Sequence, residues 1–281
     1  PHTNPPLSPK LTLPTMYDLP SEDPEEPGLP DEFHDLQPQL LSTTLRLVDY
    51  SRDRVFTGSD LNLYYDVHHS QWHKRPDWFL ALGVSRLYEG VDMRSSYVIW
   101  QEGISPFVVV ELLSPGTEKE DLGQNAESAS NPISETGQPE AETPPRKWDV
   151  YEKILRVPYY VVFSRYTNQM RVFQLVGSDY QEQSIAPDRP RFWFDGLKLG
   201  LGLWHGEFDG ITRSWLRWYD AQDNWLLTDS ERVEQEQQRA EQAEAQLRQT
   251  ALNLLQSGLS IEQVAQLTGF SEEQVRNIST V

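Results

Sequence analysis

The most apolar run of this chain ends in a carboxylate, and few folds can hold one there. The run is Phe107-Val108-Val109-Val110-Glu111-Leu112-Leu113-Ser114-Pro115. Apolar on both faces, it reads as a strand in the middle of a covered sheet. A buried carboxylate is costly unless it is paired or bound to a cation. Upstream, Pro76-Asp77-Trp78-Phe79-Leu80-Ala81-Leu82-Gly83-Val84 reads as a second strand that opens on another acid. Two acids on the ends of adjacent buried strands suggest a divalent metal site.

The 281 residues suffice for one large domain, or one medium domain with appendages, and nine Trp with 37% apolar content are ample for a core. The chain has no Cys, so disulfides, zinc–thiolate sites and thiol nucleophiles are excluded. No apolar stretch approaches the roughly 20 residues that span a bilayer, and the Pro-rich acidic start does not have the layout of a signal peptide, so a cytoplasmic protein without a membrane partner is expected.

The net charge of −19 argues at first against a nucleic-acid partner. Its distribution changes that reading. Residues 1–35, 123–145 and 229–281 hold 21 acids and 5 bases, leaving 22 acids and 19 bases for the rest. A nearly neutral core can carry a local basic patch, and Lys74, Arg75, Lys119, Arg146, Lys147, Lys153 and Arg156 are its candidates. An ordinary mixed-charge surface is the alternative.

Composition divides the chain into an acidic Pro-rich arm (1–35), a main domain (36–228) with a flexible insertion (123–145), a charged helix (229–257) and a two-helix tail (258–281). Asp31–Leu41 fits a short helix; Thr44–Tyr50, Val55–Val67, Asp77–Val84, Tyr97–Trp100 and Phe107–Leu113 fit strands. Trp148, Tyr151, Ile154 and Leu155 share one face at helical spacing, which places Lys147 and Tyr151 one turn apart on a helix. Tyr159–Phe163 and Met170–Val176 flank a polar turn as a hairpin. The aromatics between Arg191 and Leu227 are read as the packing of a small β layer rather than a base-stacking surface. His68, His69 and His73 match no metal-binding spacing and are placed on a loop.

In the C-terminal part, Val233, Ala240, Leu247 and Leu254 fall seven apart, a thin coiled-coil signal compatible with a homodimer. Ser260 with Gln263 and Ser271 with Gln274 form two capping boxes around Gly269. Two such helices resemble a helix-turn-helix, but the second offers Glu272 and Glu273 against Arg276 alone, which favours a packing or dimer module over a DNA reader.

Pro76-Asp77, then Val110-Glu111-Leu112-Leu113-Ser114-Pro115-Gly116-Thr117, Asp121, Lys147 with Tyr151, and Val157-Pro158-Tyr159-Tyr160-Val161-Val162 together resemble the putative restriction endonuclease family that is greatly expanded in cyanobacteria, within the PD-(D/E)XK nuclease superfamily. The resemblance covers roughly residues 40–205. It implies an α/β, restriction-endonuclease-like fold, a mixed central sheet flanked by helices, here with a C-terminal helical extension. It also implies a Mg²⁺- or Mn²⁺-dependent DNA endonuclease, with Asp77, Glu111 and the backbone carbonyl of Leu112 as metal ligands and Lys147 as the catalytic lysine. The superfamily pattern has a lysine two residues after the strand Glu, where this chain has Leu113; Lys147 takes the role, with Lys119 as runner-up. Ser114, Asp121 and Tyr151 would support the site.

Each residue has a structural alternative: Asp77 as a turn cap, Glu111 as half of an ion pair with Arg75 or Arg146, Tyr151 as core. A nuclease fold retained as a binding or regulatory module is therefore the competing function.

Overall fold

The structure, a computed structural model, describes residues 31–114, 118–123 and 143–279. The Pro-rich arm up to residue 30 and most of the 123–145 insertion lie outside the described residues. The chain divides into two compact units, the second starting at Leu227.

The first unit opens with helix α1 (Glu32–Thr44), capped by Asp31, whose carboxylate accepts from the backbone N–H of His34. Phe33, Leu36, Leu40 and Leu41 on this helix are core residues. A boundary drawn at residue 35 is therefore corrected: it cuts the first turn of α1 off the domain it packs into. The expected strand Thr44–Tyr50 does not form, because Thr44 ends α1 and the following residues up to Tyr50 take no partner strand. Leu45 and Leu47 instead pack as an irregular segment against the core, and Val48 points outward.

Six strands build the main sheet: β1 (Val55–Gly58), β4 (Trp78–Leu82), β6 (Val108–Leu112), β7 (Tyr159–Ser164), β8 (Gln169–Val176) and β9 (Asp179–Glu182), side by side in that order. Only the β6–β7 pair is parallel, so the sheet is mixed. The region expected as one strand from Val55 to Val67 is broken after β1. Asp60 takes a left-handed backbone there, φ 49°, and its carboxylate meets Arg75 at 2.6 Å.

Between the sheet strands, β2 (Leu63–Tyr64), β3 (His73–Lys74) and β5 (Tyr97–Val98) form a small three-stranded sheet. The stretch expected as a strand through Trp100 turns at Ile99 into the one-turn helix α2 (Ile99–Glu102). After β6 come α3 (Glu118–Leu122) and then α4 (Lys147–Asp149), which runs straight into a π-helical turn over Val150–Ile154. A further antiparallel sheet, β10 (Arg191–Phe194), β11 (Leu199–Phe208) and β12 (Ile211–Tyr219), is the aromatic layer. Its Trp215, Trp218 and Phe194 are core residues, as the packing reading expects. Gly200 is required where it stands, since a Cβ would collide with the ring of Tyr219 on the paired strand.

Alternation along β4 and β6 sorts the core. Trp78, Leu80, Val108, Val110 and Leu112 face α1 and the aromatic sheet. Phe79, Ala81 and Val109 face the other way, toward Tyr97, Val150, Tyr151 and Tyr160. By the same parity Glu111 projects onto this second face, into a layer of tyrosines rather than into solvent.

The second unit is α5 (Asp229–Gln256), α6 (Ile261–Thr268) and α7 (Glu272–Ser279). Ala251, Val264 and Val275 are its buried core. Both sequence-read capping boxes form: Gln263 N–H and Gln274 N–H each donate to a serine hydroxyl at 3.2 Å, and each glutamine oxygen accepts from that serine's N–H. Gly269 ends α6 in the left-handed region, φ 76°, where glycine carries no steric penalty.

Candidate active site

Strand pairing brings the two acids together. Trp78 lies opposite Val110, so Asp77 at the start of β4 meets Glu111 near the end of β6. Asp77 N–H points at Glu111 Oε2 at 3.5 Å, and Leu112 N–H donates to Asp77 Oδ2 at 2.6 Å. Asp77 thus holds the residue next to Glu111 by its backbone, which is more than a turn cap does.

Glu111 is fully buried. Its partner is neither Arg75 nor Arg146. Lys147 Nζ donates to Glu111 Oε2 at 2.8 Å, and Tyr151 OH donates to Glu111 Oε1 at 2.8 Å. The i, i+4 pair on the helix therefore grips both oxygens of one carboxylate. The π turn begins between them, with Leu155 N–H donating to Val150 O. Such turns occur often at functional sites because they re-aim side chains within a helix. Lys147 N–H donates in turn to Glu120 Oε1 at 3.0 Å, an oxygen that also accepts from Lys74 Nζ at 2.6 Å.

Asp121 completes the charge cluster. It is 1% exposed, and its Oδ1 lies 3.2 Å from Lys147 Nζ. Tyr160 OH donates to the Asp121 carbonyl at 2.9 Å, holding the end of α3 over the site. Burial opposes the Lys147 ammonium, but Asp121, Glu111 and Asp77 outweigh it, and its pKa stands well above the ordinary lysine value. Glu111 moves upward for the opposite reason: burial dominates, and Asp77 and Asp121 add to it against the pull of Lys147. Burial and the Glu111 charge raise the Tyr151 phenol as well, so it acts as a hydrogen-bond donor throughout the neutral range.

Sequence reasoning missed one buried group. His34 on α1 is 3% exposed; its Nε2 lies 2.9 Å from the Leu112 carbonyl and its Nδ1 2.8 Å from Asp31 Oδ1. A carbonyl only accepts and an ionised carboxylate only accepts, so both ring nitrogens carry protons. Burial opposes this imidazolium, whereas Asp31, Asp77 and the Leu112 carbonyl favour it, and its pKa is raised. Arg165 holds the far side of Asp31 at 2.7 Å. The sequence did contain a signal, a histidine within the apolar face of the first helix, but its partners come from residue 112.

The remaining sequence candidates fall elsewhere. Ser114 is buried just past β6, three residues beyond Glu111. Lys119 belongs to α3, and its side chain lies outside the described residues. The expected basic patch is largely neutralised: Lys74 pairs with Glu120, Arg75 with Asp60, Lys153 with Glu152, and Lys147 serves the cluster. His69 stacks on Trp72 and pairs with Asp66 in a turn, whereas His73, also expected on a loop, opens β3.

A mixed sheet flanked by helices, with acids at the ends of two neighbouring strands and a lysine from the following helix, defines the α/β restriction-endonuclease-like class. The chain belongs to the Uma2 family, described as putative restriction endonuclease, whose family model matches residues 11–202. No curated protein gives a match. Family membership supports nuclease chemistry, and among the described residues no helix is long and apolar enough to cross a membrane.

Proposed function

We propose that the protein is a divalent-metal-dependent DNA endonuclease whose site is Asp77, Glu111 and Lys147. The observation that carries this reading is the convergence of an acid from the start of β4, an acid from β6 and a lysine from α4: Glu111 takes the Lys147 ammonium on one side and faces the Asp77 backbone N–H on the other. Structural ion pairs seldom recruit a third acid and a tyrosine onto the same pair, and clusters of perturbed titratable groups concentrate at functional sites.

Nucleases of this fold generally use divalent metal ions. Among the described residues, no group of three or more His, Asp or Glu converges as a ready-made metal cage. The donors nonetheless suit Mg²⁺ or Mn²⁺, because hard cations take carboxylate and carbonyl oxygens and keep several waters. Asp77 and Glu111 would hold the ion, with the Leu112 carbonyl contributing the lone pair that His34 leaves free. When bound, the ion polarises the phosphate and lowers the pKa of a water.

The chain's own residues do the rest. Lys147 Nζ, whose charge the surrounding acids favour against burial, is suited to orient water and to offset charge growing on the phosphate oxygens. Asp121 keeps that ammonium charged and in place, and Tyr151 fixes the Glu111 carboxylate.

One observation favours the second reading, a nuclease fold kept as a binding module: Lys147 already bridges Glu111 and Asp121, so the cluster is satisfied without a metal. Incubating purified protein with supercoiled plasmid and single-stranded DNA in Mg²⁺ or Mn²⁺ separates the two. Metal-dependent cutting lost in Glu111→Ala is expected; no cutting by wild type on either substrate sinks the nuclease reading.

A further inference from the structure

A separate cationic feature lies at the other end of the β1–β4 strand pair. Arg52 and Arg54, on the 3-10 turn before β1, and Arg86, in the loop after β4, line an open cleft of about 530 Å³ together with Asp53, Ser85 and Gly90. In so acidic a chain, arginines generally find carboxylates, as Arg75, Arg94, Arg165, Arg171 and Arg191 do. Among the described residues, none of Arg52, Arg54 and Arg86 has a carboxylate partner. Asp53, the acid of the lining, is engaged by Ser51 and feels the Arg54 charge, so the lining sets three cations against one anion.

The two segments that carry these arginines are tied together. Arg86 N–H donates to Asp53 O at 2.8 Å and Gly83 N–H to Arg54 O at 2.9 Å, while the Arg54 guanidinium donates to Gly83 O. The Arg86 guanidinium lies 5.9 Å from the centre of the Phe56 ring. The cleft therefore gathers three guanidinium groups on two tied segments with a surplus of positive charge, the Arg54 group held by Gly83 O and the Arg86 group beside Phe56, which suits a ligand rich in anionic oxygens.

Its position relates it to the carboxylates. Phe56 pairs with Ala81, and Ala81, Phe79 and Asp77 alternate onto one face of β4. Arg54 meets Gly83, six residues on from Asp77, roughly 20 Å along β4. A nucleic-acid strand carries a phosphate about every 3.4 Å of helix rise, so a chain engaged at the carboxylates presents further phosphates at that range.

We propose that Arg52, Arg54 and Arg86 form a phosphate-binding subsite that anchors the nucleic-acid backbone flanking the cleaved bond. This assignment rests on the nuclease reading of the carboxylate site. The chemistry recognised is the phosphate group, which a small phosphorylated molecule also offers, and the test separates the two sources.

The test is fluorescence anisotropy with the full-length chain in EDTA, a labelled duplex of about two helical turns, and salt varied from about 50 to 200 mM. Losing two phosphate contacts in Arg52→Ala/Arg86→Ala lowers the slope of log affinity against log salt by about 2 and weakens binding at least tenfold at the low-salt end. Parallel lines for wild type and variant overturn the proposal. Parallel lines together with a pyrophosphate-induced rise in melting temperature, seen in wild type and absent in the variant, would assign the cleft to a small phosphorylated ligand and overturn the DNA assignment. If the slope falls as expected yet wild type cuts no DNA with Mg²⁺ or Mn²⁺, the subsite stands and the nuclease reading fails.

Discussion

Replacing Lys147 by methionine keeps the length and packing of the side chain and removes its charge. The variant strips the cation from Glu111, 0% exposed, and from Asp121, 1% exposed, at distances of 2.8 and 3.2 Å. At an effective dielectric of about 20, each contact is worth roughly 5–6 kcal/mol before desolvation is subtracted. Breaking one side of a buried pair costs about 3–5 kcal/mol in practice. The stranded carboxylate can escape by taking a proton, which sets a ceiling. Against an unfolded carboxyl near 4.3, protonation at pH 7 costs about 2.7 units, or roughly 3.7 kcal/mol.

The sign follows from the direction of the shift. The folded pKa of Glu111 is already raised by burial, and losing Lys147 raises it further. An acid of this kind is stable in its protonated form below the unfolded pKa and loses that stability as pH rises toward the folded one. The variant should therefore fall increasingly below wild type as pH rises above the folded pKa of wild-type Glu111, by no more than roughly 3.7 kcal/mol at pH 7. Urea unfolding in metal-free buffer, followed by tryptophan fluorescence, measures this cleanly, because all nine Trp precede Leu227 and report the first unit alone. A loss under about 1 kcal/mol at pH 7, or one that does not change with pH, refutes the buried-pair reasoning.

Four other outcomes are expected. Tyr151→Phe leaves Glu111 Oε1 without its donor and should cost about 1.5–3 kcal/mol in the same urea assay, since bonds to charged groups are the stronger kind; a cost near zero would make Tyr151 mere packing. Mn²⁺ should raise the melting temperature of wild type but not of Glu111→Ala, and equal shifts in both would place the ion elsewhere. Gly269→Ala forces a side chain into the left-handed region and should lower the stability of the helical unit by about 1 kcal/mol, read as the helical signal of residues 227–281 on heating. Val233 is 64% exposed and Leu247 37% exposed on α5, and sedimentation at rising concentration should show a homodimer that deletion of residues 229–281 abolishes; a monomer at every concentration removes that assignment.

Local pattern carried the fold a long way. The apolar run at residues 107–113 could only be a central strand, and the helical spacing of Trp148, Tyr151 and Leu155 carried Lys147 and Tyr151 onto one face. The capping boxes at Ser260 and Ser271 are local chemistry, legible at a distance of three residues. Non-local partners were not legible. Glu111 was weighed against two arginines, because nothing in a linear chain says that residue 147 returns to it while Arg75 is drawn to Asp60. His34 escaped notice for the same reason, its meaning lying in a carbonyl 78 residues away. The irregular path of residues 45–50 has an apolar–polar alternation fit for a strand, and only the absence of a neighbouring edge denied it one. Lys74, Arg75, Lys147 and Lys153, read as part of a basic patch, are committed to carboxylates, whereas Arg52, Arg54 and Arg86 at the far end of the β1–β4 pair are not.

Single-turnover cleavage of a labelled duplex with Mg²⁺ or Mn²⁺, comparing wild type, Glu111→Gln, Lys147→Ala and Lys119→Ala, tests the central claim most directly. The account predicts metal-dependent cutting by wild type, a loss of about a hundredfold or more in Glu111→Gln and in Lys147→Ala, and a near-wild-type rate in Lys119→Ala. Cutting that survives in Lys147→Ala and vanishes in Lys119→Ala, or that persists undiminished in Glu111→Gln, would contradict it.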